Sequence, residues 1–465
     1  VVTSLYGGWV DPSACFAALA SNTQDADAAS LFWLDSGIEA TSGMSCMGRG
    51  SRTVTYANGV MSEVSLGRPA QAVPSGSVFE FLRAQQSQGV DSEASTLAFS
   101  LGWVGWLGYE LHELTLGAGL GRSLRYPDAA LLFADRAIVF DHFARTVTLA
   151  ALGESWSGEL AAWKDETTRM LHTLAAASAA EGVGSTDTGQ HPEWAYSDTE
   201  YLAMIEQCQR SIRAGDAYQL CLTTEVTLDV HPDPVETYLR LRTLSPSHHG
   251  GFLRIGGVSL LSSSPETFLT VSPGGEIESK PIKGTRKRGE TPEDDAALRA
   301  ELVSSDKERA ENLMIVDLVR NDMSRVCEVG SVWVPALLQV ESYAHVHQLV
   351  STVRGKLAAG CDAIDAVMAC FPAGSMTGAP KLSAVRILDE LEERARGIYS
   401  GAWGYFGLDG SVDLAMTIRS IVIDSGGISI GTGGGITALS VPSEELEETR
   451  IKAAALLRAL GLVTL

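Results

Sequence analysis

Short strand-like runs and helical stretches follow one another along this chain without a repeating strand–helix–strand rhythm. Parallel strands need a long crossover between them, usually a helix, so the irregular order argues against a doubly wound fold. The expected class is α+β with a mostly antiparallel sheet. Strands are predicted at 130–133, 137–140, 147–151, 258–262, 267–271, 415–423 and 428–432, the last two flanking Gly426-Gly427. Ser197 and Glu200 form a capping-box pattern, which predicts a helix to about residue 214. A second helix is predicted over 306–319, with Ala310, Leu313 and Leu318 standing among charges. Thr377 reads as the cap of a third, with Pro380 in its first turn and Gly397 at its end. Ser443 reads as the cap of the last helix, whose acidic first turn suits the helix dipole.

One shift in composition divides the chain. Residues 175–193, AAASAAEGVGSTDTGQHPE, are rich in small and polar residues with no apolar period, and read as a linker or surface loop. The expected division is an N-terminal half over 1–174, that loop, and a region over 194–465 that holds the recognisable chemistry. Charge narrows the partners. Against 57 acidic side chains stand 35 basic ones, a formal net charge of -22. Such a surface repels phosphate backbones and anionic lipid, which argues against nucleic-acid and membrane partners. An anionic substrate would need a local cluster of positive groups. No apolar stretch approaches the 18 residues of a membrane span. The seven cysteines are odd in number and include no CxxC pair, and VVTSLYGGWV at the start is no secretory leader. The expected compartment is the reducing cytoplasm.

Five segments carry candidate chemistry. In Lys280-Pro281-Ile282-Lys283-Gly284-Thr285-Arg286, Lys283 stands between an apolar residue and a glycine. A lysine held in a partly dry pocket can lose its proton and act as a nucleophile; a solvated basic turn is the commoner alternative. Glu311 lies on the 306–319 helix and Glu448 on the last helix, four residues before Lys452. Magnesium takes one or two carboxylates and completes its shell with water and substrate, which two glutamates from distant helices would suit. An i,i+4 surface pair of Glu448 with Lys452 is the alternative. Amides of the run Gly431-Thr432-Gly433-Gly434-Gly435-Ile436 can bind a carboxylate, although a tight turn is the default for such a run. Phe371–Lys381 has the look of a phosphate-binding loop but fails its pattern, because proline precedes the lysine and no Ser or Thr follows it.

Taken together, these segments resemble the chorismate-utilising family of anthranilate synthase large subunits, aminodeoxychorismate synthase large subunits and isochorismate synthases. The likeness also runs through Ile212-Arg213-Ala214-Gly215-Asp216-Ala217-Tyr218-Gln219, Ser262-Ser263-Ser264-Pro265-Glu266 and 309–322. It implies two large antiparallel sheets packed roughly orthogonally, with helices outside and the active site between them. Within the family, PIKGT with Lys283 resembles the aminodeoxychorismate form, whereas anthranilate synthases carry alanine at that lysine. GSMTGAPK, with Ser375 and Thr377, points the same way. The implied reaction converts chorismate and ammonia to 4-amino-4-deoxychorismate, toward 4-aminobenzoate and folate. Anthranilate synthase, isochorismate synthase and an inactive regulatory paralogue are the competing readings.

The resemblance also implies roles. Lys283 is the nucleophile, Glu266 the acid/base partner, and Glu311 and Glu448 the ligands of Mg2+. Tyr399, Arg419 and the Gly435 amide hold the enolpyruvyl carboxylate, and Lys452 the ring carboxylate. Ser375 and Gln348 complete the substrate-binding set. Gln348 fills a slot where many relatives carry histidine, and an amide cannot serve as an acid. His347, one position earlier on a strand, would point to the opposite face. Ammonia comes from a glutamine amidotransferase in this family. No Gly-x-Cys-x-Gly elbow occurs here, so a separate subunit is expected.

Overall fold

The computed structural model describes residues 1–21, 30–50, 52–65, 70–86, 99–119, 121–176, 191–343 and 345–462. Most of the loop expected at 175–193 lies outside them. Among the described residues two sheets form, each of twelve strands, and neighbouring strands run antiparallel. Each sheet draws strands from both halves of the chain. In the first, Ser30–Asp35 pairs with His249–Ile255. In the second, Gly102–Leu107 pairs with Ala402–Gly407.

The sheets meet through one apolar layer. Phe32, Val139, Leu253 and Leu260 of the first sheet pack with Val104, Trp106, Leu132 and Trp403 of the second. Burying side chains of this kind contributes about 1.5–3 kcal/mol each. The outer faces are covered by helices. Phe16, Tyr238, Leu456 and Leu457 pack on the first sheet, and Phe79, Ile364 and Val367 on the second. No helix among the described residues is long and apolar enough to cross a membrane.

Several expectations hold closely. The helix Asp198–Ala214 opens on the Ser197/Glu200 capping box and ends before Gly215 in the left-handed region. Strands form at Ala129–Ala134, Arg136–Asp141 and Thr146–Ala151. The 306–319 helix extends to Ser324. Others fail for identifiable reasons. Thr377 caps nothing: its hydroxyl bonds the carbonyls of Ala373 and Gly374, and the helix Lys381–Glu392 starts after Pro380. That helix stops at Glu392 rather than Gly397. The last helix, Pro442–Ala459, has Val441 at its cap, and Ser443 lies inside it. The 415–423 run is not one strand. It is Val412–Met416 in the second sheet and Ser420–Asp424 in the first. The glycine run is no turn either, because it lies within the strand Gly427–Ile436.

A glycine permits a close approach of the two sheets. A Cβ at Gly251 would collide with the indole of Trp403 and the carbonyl of Trp33. Overpacking of this kind costs roughly 1–3 kcal/mol. Gly251→Ala is therefore expected to lower the thermal unfolding temperature, and an unchanged midpoint would show that the layer is looser than described.

Candidate active site

The chain makes two of its crossings between the sheets side by side. It leaves the first sheet at Ser264 and enters the second at Thr267, and it returns between Met416 and Ser420. Ser262 pairs with Ser420 and Thr267 with Ala415, so the two crossings are neighbours. Glu266 lies on one and Arg419 on the other. The crossings are stitched by hydrogen bonds from Met416 N–H to the Glu266 carbonyl (3.0 Å) and from Ser263 N–H to the Arg419 carbonyl (3.1 Å). Arg419 has φ +49, a left-handed conformation that costs a non-glycine residue free energy and persists only where its surroundings fix it.

Glu266 is buried. Its Oε1 accepts from the Ile282 N–H (3.4 Å) and from the Ser375 hydroxyl (3.3 Å). Burial drives its pKa up to about 7, against the pull of the Lys283 charge and of those two donors. A carboxyl poised there can give or take a proton near neutrality.

Lys283 lies on the strand Ile282–Lys287, opposite Leu349, beside a register slip at Gly284. Gly284 has φ +76, and a Cβ there would lie 2.7 Å from Leu302. The charge of Lys283 acts on three carboxylates, those of Glu266, Glu311 and Glu448. Glu311 comes from the helix Asp306–Ser324, which is pinned beside the lysine by its next residue. The Asn312 amide donates to the carbonyls of Pro281 and Leu349 and accepts from Ser351. Burial raises the Glu311 pKa, with Lys283 and Lys307 opposing. Its Oε1 is buried and has no hydrogen-bond partner. Glu448 is likewise pushed up by burial, but Lys452, Lys307 and Lys283 outweigh this and hold it below the ordinary carboxylate value. Lys452 lies 2.7 Å from it and also donates to the Gly433 carbonyl (2.8 Å).

The remaining expected residues gather around this group. The Tyr399 ring lies over Gly431, where any Cβ would run into it. Arg419 is mostly buried, its pKa lowered by that burial and raised in part by Tyr399 and Glu448. It is not a surface arginine. Gly435 faces the side chain of Gln219. Gln348 is buried and its carbonyl oxygen lacks a partner. His347 does turn to the other face of its strand, where Ser342 and Asp295 hold both ring nitrogens. Ser375, in the tight turn Gly374–Met376, spends its hydroxyl on Glu266.

Three residues escaped the sequence reading. Gln219 is fully buried, and neither amide atom has a partner. Glu445 and Lys307 form an ion pair at 3.3 Å that ties the two glutamate-bearing helices together. Gln219 stood within a recognised stretch. Glu445 and Lys307 lie one helical turn before Glu448 and Glu311, a spacing that puts each pair on one face.

Residues 34–458 match the model of the chorismate binding enzyme family. The chain belongs to that family. It is 48% identical over 375 residues to an aminodeoxychorismate synthase of Streptomyces griseus, covering 78% of this chain and 50% of the relative. An anthranilate synthase component 1 of Streptomyces coelicolor is 37% identical, covering 84% of this chain and 79% of the relative. The crystal structure of anthranilate synthase component I from Streptococcus pneumoniae superposes with a TM-score of 0.76 at 28% identity, over 90% of this chain and 92% of that one. The chain thus spans about half the length of the aminodeoxychorismate synthase it matches.

The Glu266 geometry gives a direct expectation. A hydroxyl donating to a carboxylate favours the charged form, so Ser375→Ala should raise the Glu266 pKa above its value of about 7. Infrared difference spectra across pH, with Glu266→Gln to assign the carboxyl band, measure this. A midpoint that stays in place or falls would contradict the contact.

Proposed function

We propose that this chain is the synthase part of an aminodeoxychorismate synthase, joining chorismate and ammonia to give 4-amino-4-deoxychorismate. The observation that carries the reading is Lys283, a lysine set among Glu266, Glu311 and Glu448 where the resemblance places alanine in anthranilate synthases. The relative of Streptomyces griseus that bears this name supports it.

The substrate is a dianion and the chain is strongly acidic, so local cations must draw it in. Arg419 can grip one carboxylate bidentately, aided by the Tyr399 hydroxyl and the Gly435 amide. Lys452 faces the other. Two glutamates beside that carboxylate would repel it. A magnesium ion held by Glu311 and Glu448 would resolve this, and the donors fit one: hard oxygens from two helices, with Glu311 Oε1 lacking any protein partner. Among the described residues no group of three or more His, Cys, Asp or Glu could form an all-protein cage. Bound there, the ion would offset charge between the glutamates and the ring carboxylate.

In the proposed sequence the Lys283 amine bonds to C2, the ring double bond shifts, and the C4 hydroxyl leaves as water with the proton of Glu266. Ammonia then bonds to C4, the double bond returns, and the C2–N bond to Lys283 breaks. The surplus ammonium proton resets Glu266. One hard displacement becomes two easier ones. Ammonia formation from glutamine is assigned to a separate amidotransferase subunit, and the pair to the cytoplasm.

Purified protein given chorismate, magnesium and ammonium should form 4-amino-4-deoxychorismate, identified by mass and retention. Predominant anthranilate or isochorismate would overturn the assignment. Glu311→Ala and Glu448→Ala should each weaken magnesium binding in calorimetry and cut turnover by more than the roughly 10–100-fold typical of an outer-shell change. Full activity of either variant in excess chelator would make the pair structural.

A further inference from the structure

Behind the site lies a buried arginine, three of whose contacts end next to site residues. Arg396 and Glu392 are 1% and 2% exposed and form a two-pronged ion pair at 2.8 and 2.7 Å. A guanidinium has five N–H donors in a rigid plane. Here all five are engaged. Beyond the two to Glu392, Nη1 donates to the Met376 carbonyl (2.7 Å) and the Ser400 hydroxyl (3.4 Å), and Nη2 to the Cys221 carbonyl (2.9 Å). The guanidinium carbon lies 4.3 Å from the centre of the Tyr109 ring. Glu392 in turn accepts from the Thr223 N–H (2.8 Å).

Met376 follows Ser375, whose hydroxyl is on Glu266. Ser400 follows Tyr399. Cys221 stands opposite Gly435 in the strand register. A buried ion pair is a poor source of stability, since apolar residues of the same volume often do as well. What this one supplies is a fixed relation between three segments that no strand pairing joins all together.

We propose that Arg396 is a positioning residue that holds the Ser375 turn, Tyr399 and the Gly435 strand in register around the substrate, acting on Glu266 through Ser375. The inference rests on the reading of Glu266 as the acid of the reaction. Lysine at 396 keeps the charge facing Glu392 but cannot reach all three segments from one plane.

The test is a double-mutant cycle read by the infrared titration of Glu266, alongside turnover of chorismate. Arg396→Lys should keep the circular dichroism of the folded protein, raise the Glu266 midpoint as Ser375→Ala does, and lower kcat at least about ten-fold. In the Ser375→Ala background it should add no further shift of the midpoint. An unmoved midpoint in Arg396→Lys, or two shifts that simply add, would overturn the inference and leave Arg396 a purely structural residue. Should Arg396→Lys fail to fold, Glu392→Gln loosens the same arginine at constant volume. A smaller upward shift supports the proposal, and none overturns it. A shifted midpoint with a product other than 4-amino-4-deoxychorismate would sink the functional reading alone. An unshifted midpoint with that product would sink this inference alone.

Discussion

Three carboxylates, one of them buried, share the field of one lysine, and that arrangement sets the terms for the rest of the molecule. Taking carboxylates out of water is costly unless cations and donors compensate. Lys283 acts on Glu266, Glu311 and Glu448 together, with Lys307 and Lys452 adding to the glutamates from the helices. The balance differs at each. Glu266 ends near neutrality because burial wins, and Glu448 ends below its ordinary value because three lysines win. Near-identical side chains thereby acquire different tasks, one able to hold a proton and one held as an anion.

Such a balance requires that elements distant in sequence stay fixed to within a fraction of a hydrogen bond. The fold achieves this with neighbouring crossings and with buried polar pins. Glu266 and Arg419 are carried on chain that has just left one sheet for the other, where backbone groups are free to bond across the junction. Asn312 ties the Glu311 helix to the strand of Lys283. Glycines supply the space: the Tyr399 ring occupies the volume that a side chain at 431 would take.

Much of this was legible in the sequence because the chemistry is local there. PIKGT, the Glu448–Lys452 spacing and the Ser197 cap each sit within a few residues. What the sequence hid depended on partners from elsewhere. The run 415–423 reads as one strand because it is apolar on both sides of the crossing, and nothing local marks the change of sheet. The glycine run reads as a turn because its reason, an aromatic ring from residue 399, is brought in by the fold. Arg419 was placed through the family resemblance, and nothing local marks its burial or its left-handed backbone. Gln219 showed no sign that both its amide atoms would be left without protein partners.

The central claim is that Lys283 forms and breaks a bond to the substrate, rather than only lending it charge. Intact-protein and peptide mass spectrometry after rapid quenching, with chorismate and magnesium present and ammonia withheld, tests this most directly. The account predicts an adduct of substrate less one water on the peptide bearing Lys283, lost on adding ammonium and absent from Lys283→Arg, which should also be nearly inactive. No adduct at Lys283, together with a Lys283→Arg enzyme making the same product near the native rate, would contradict it.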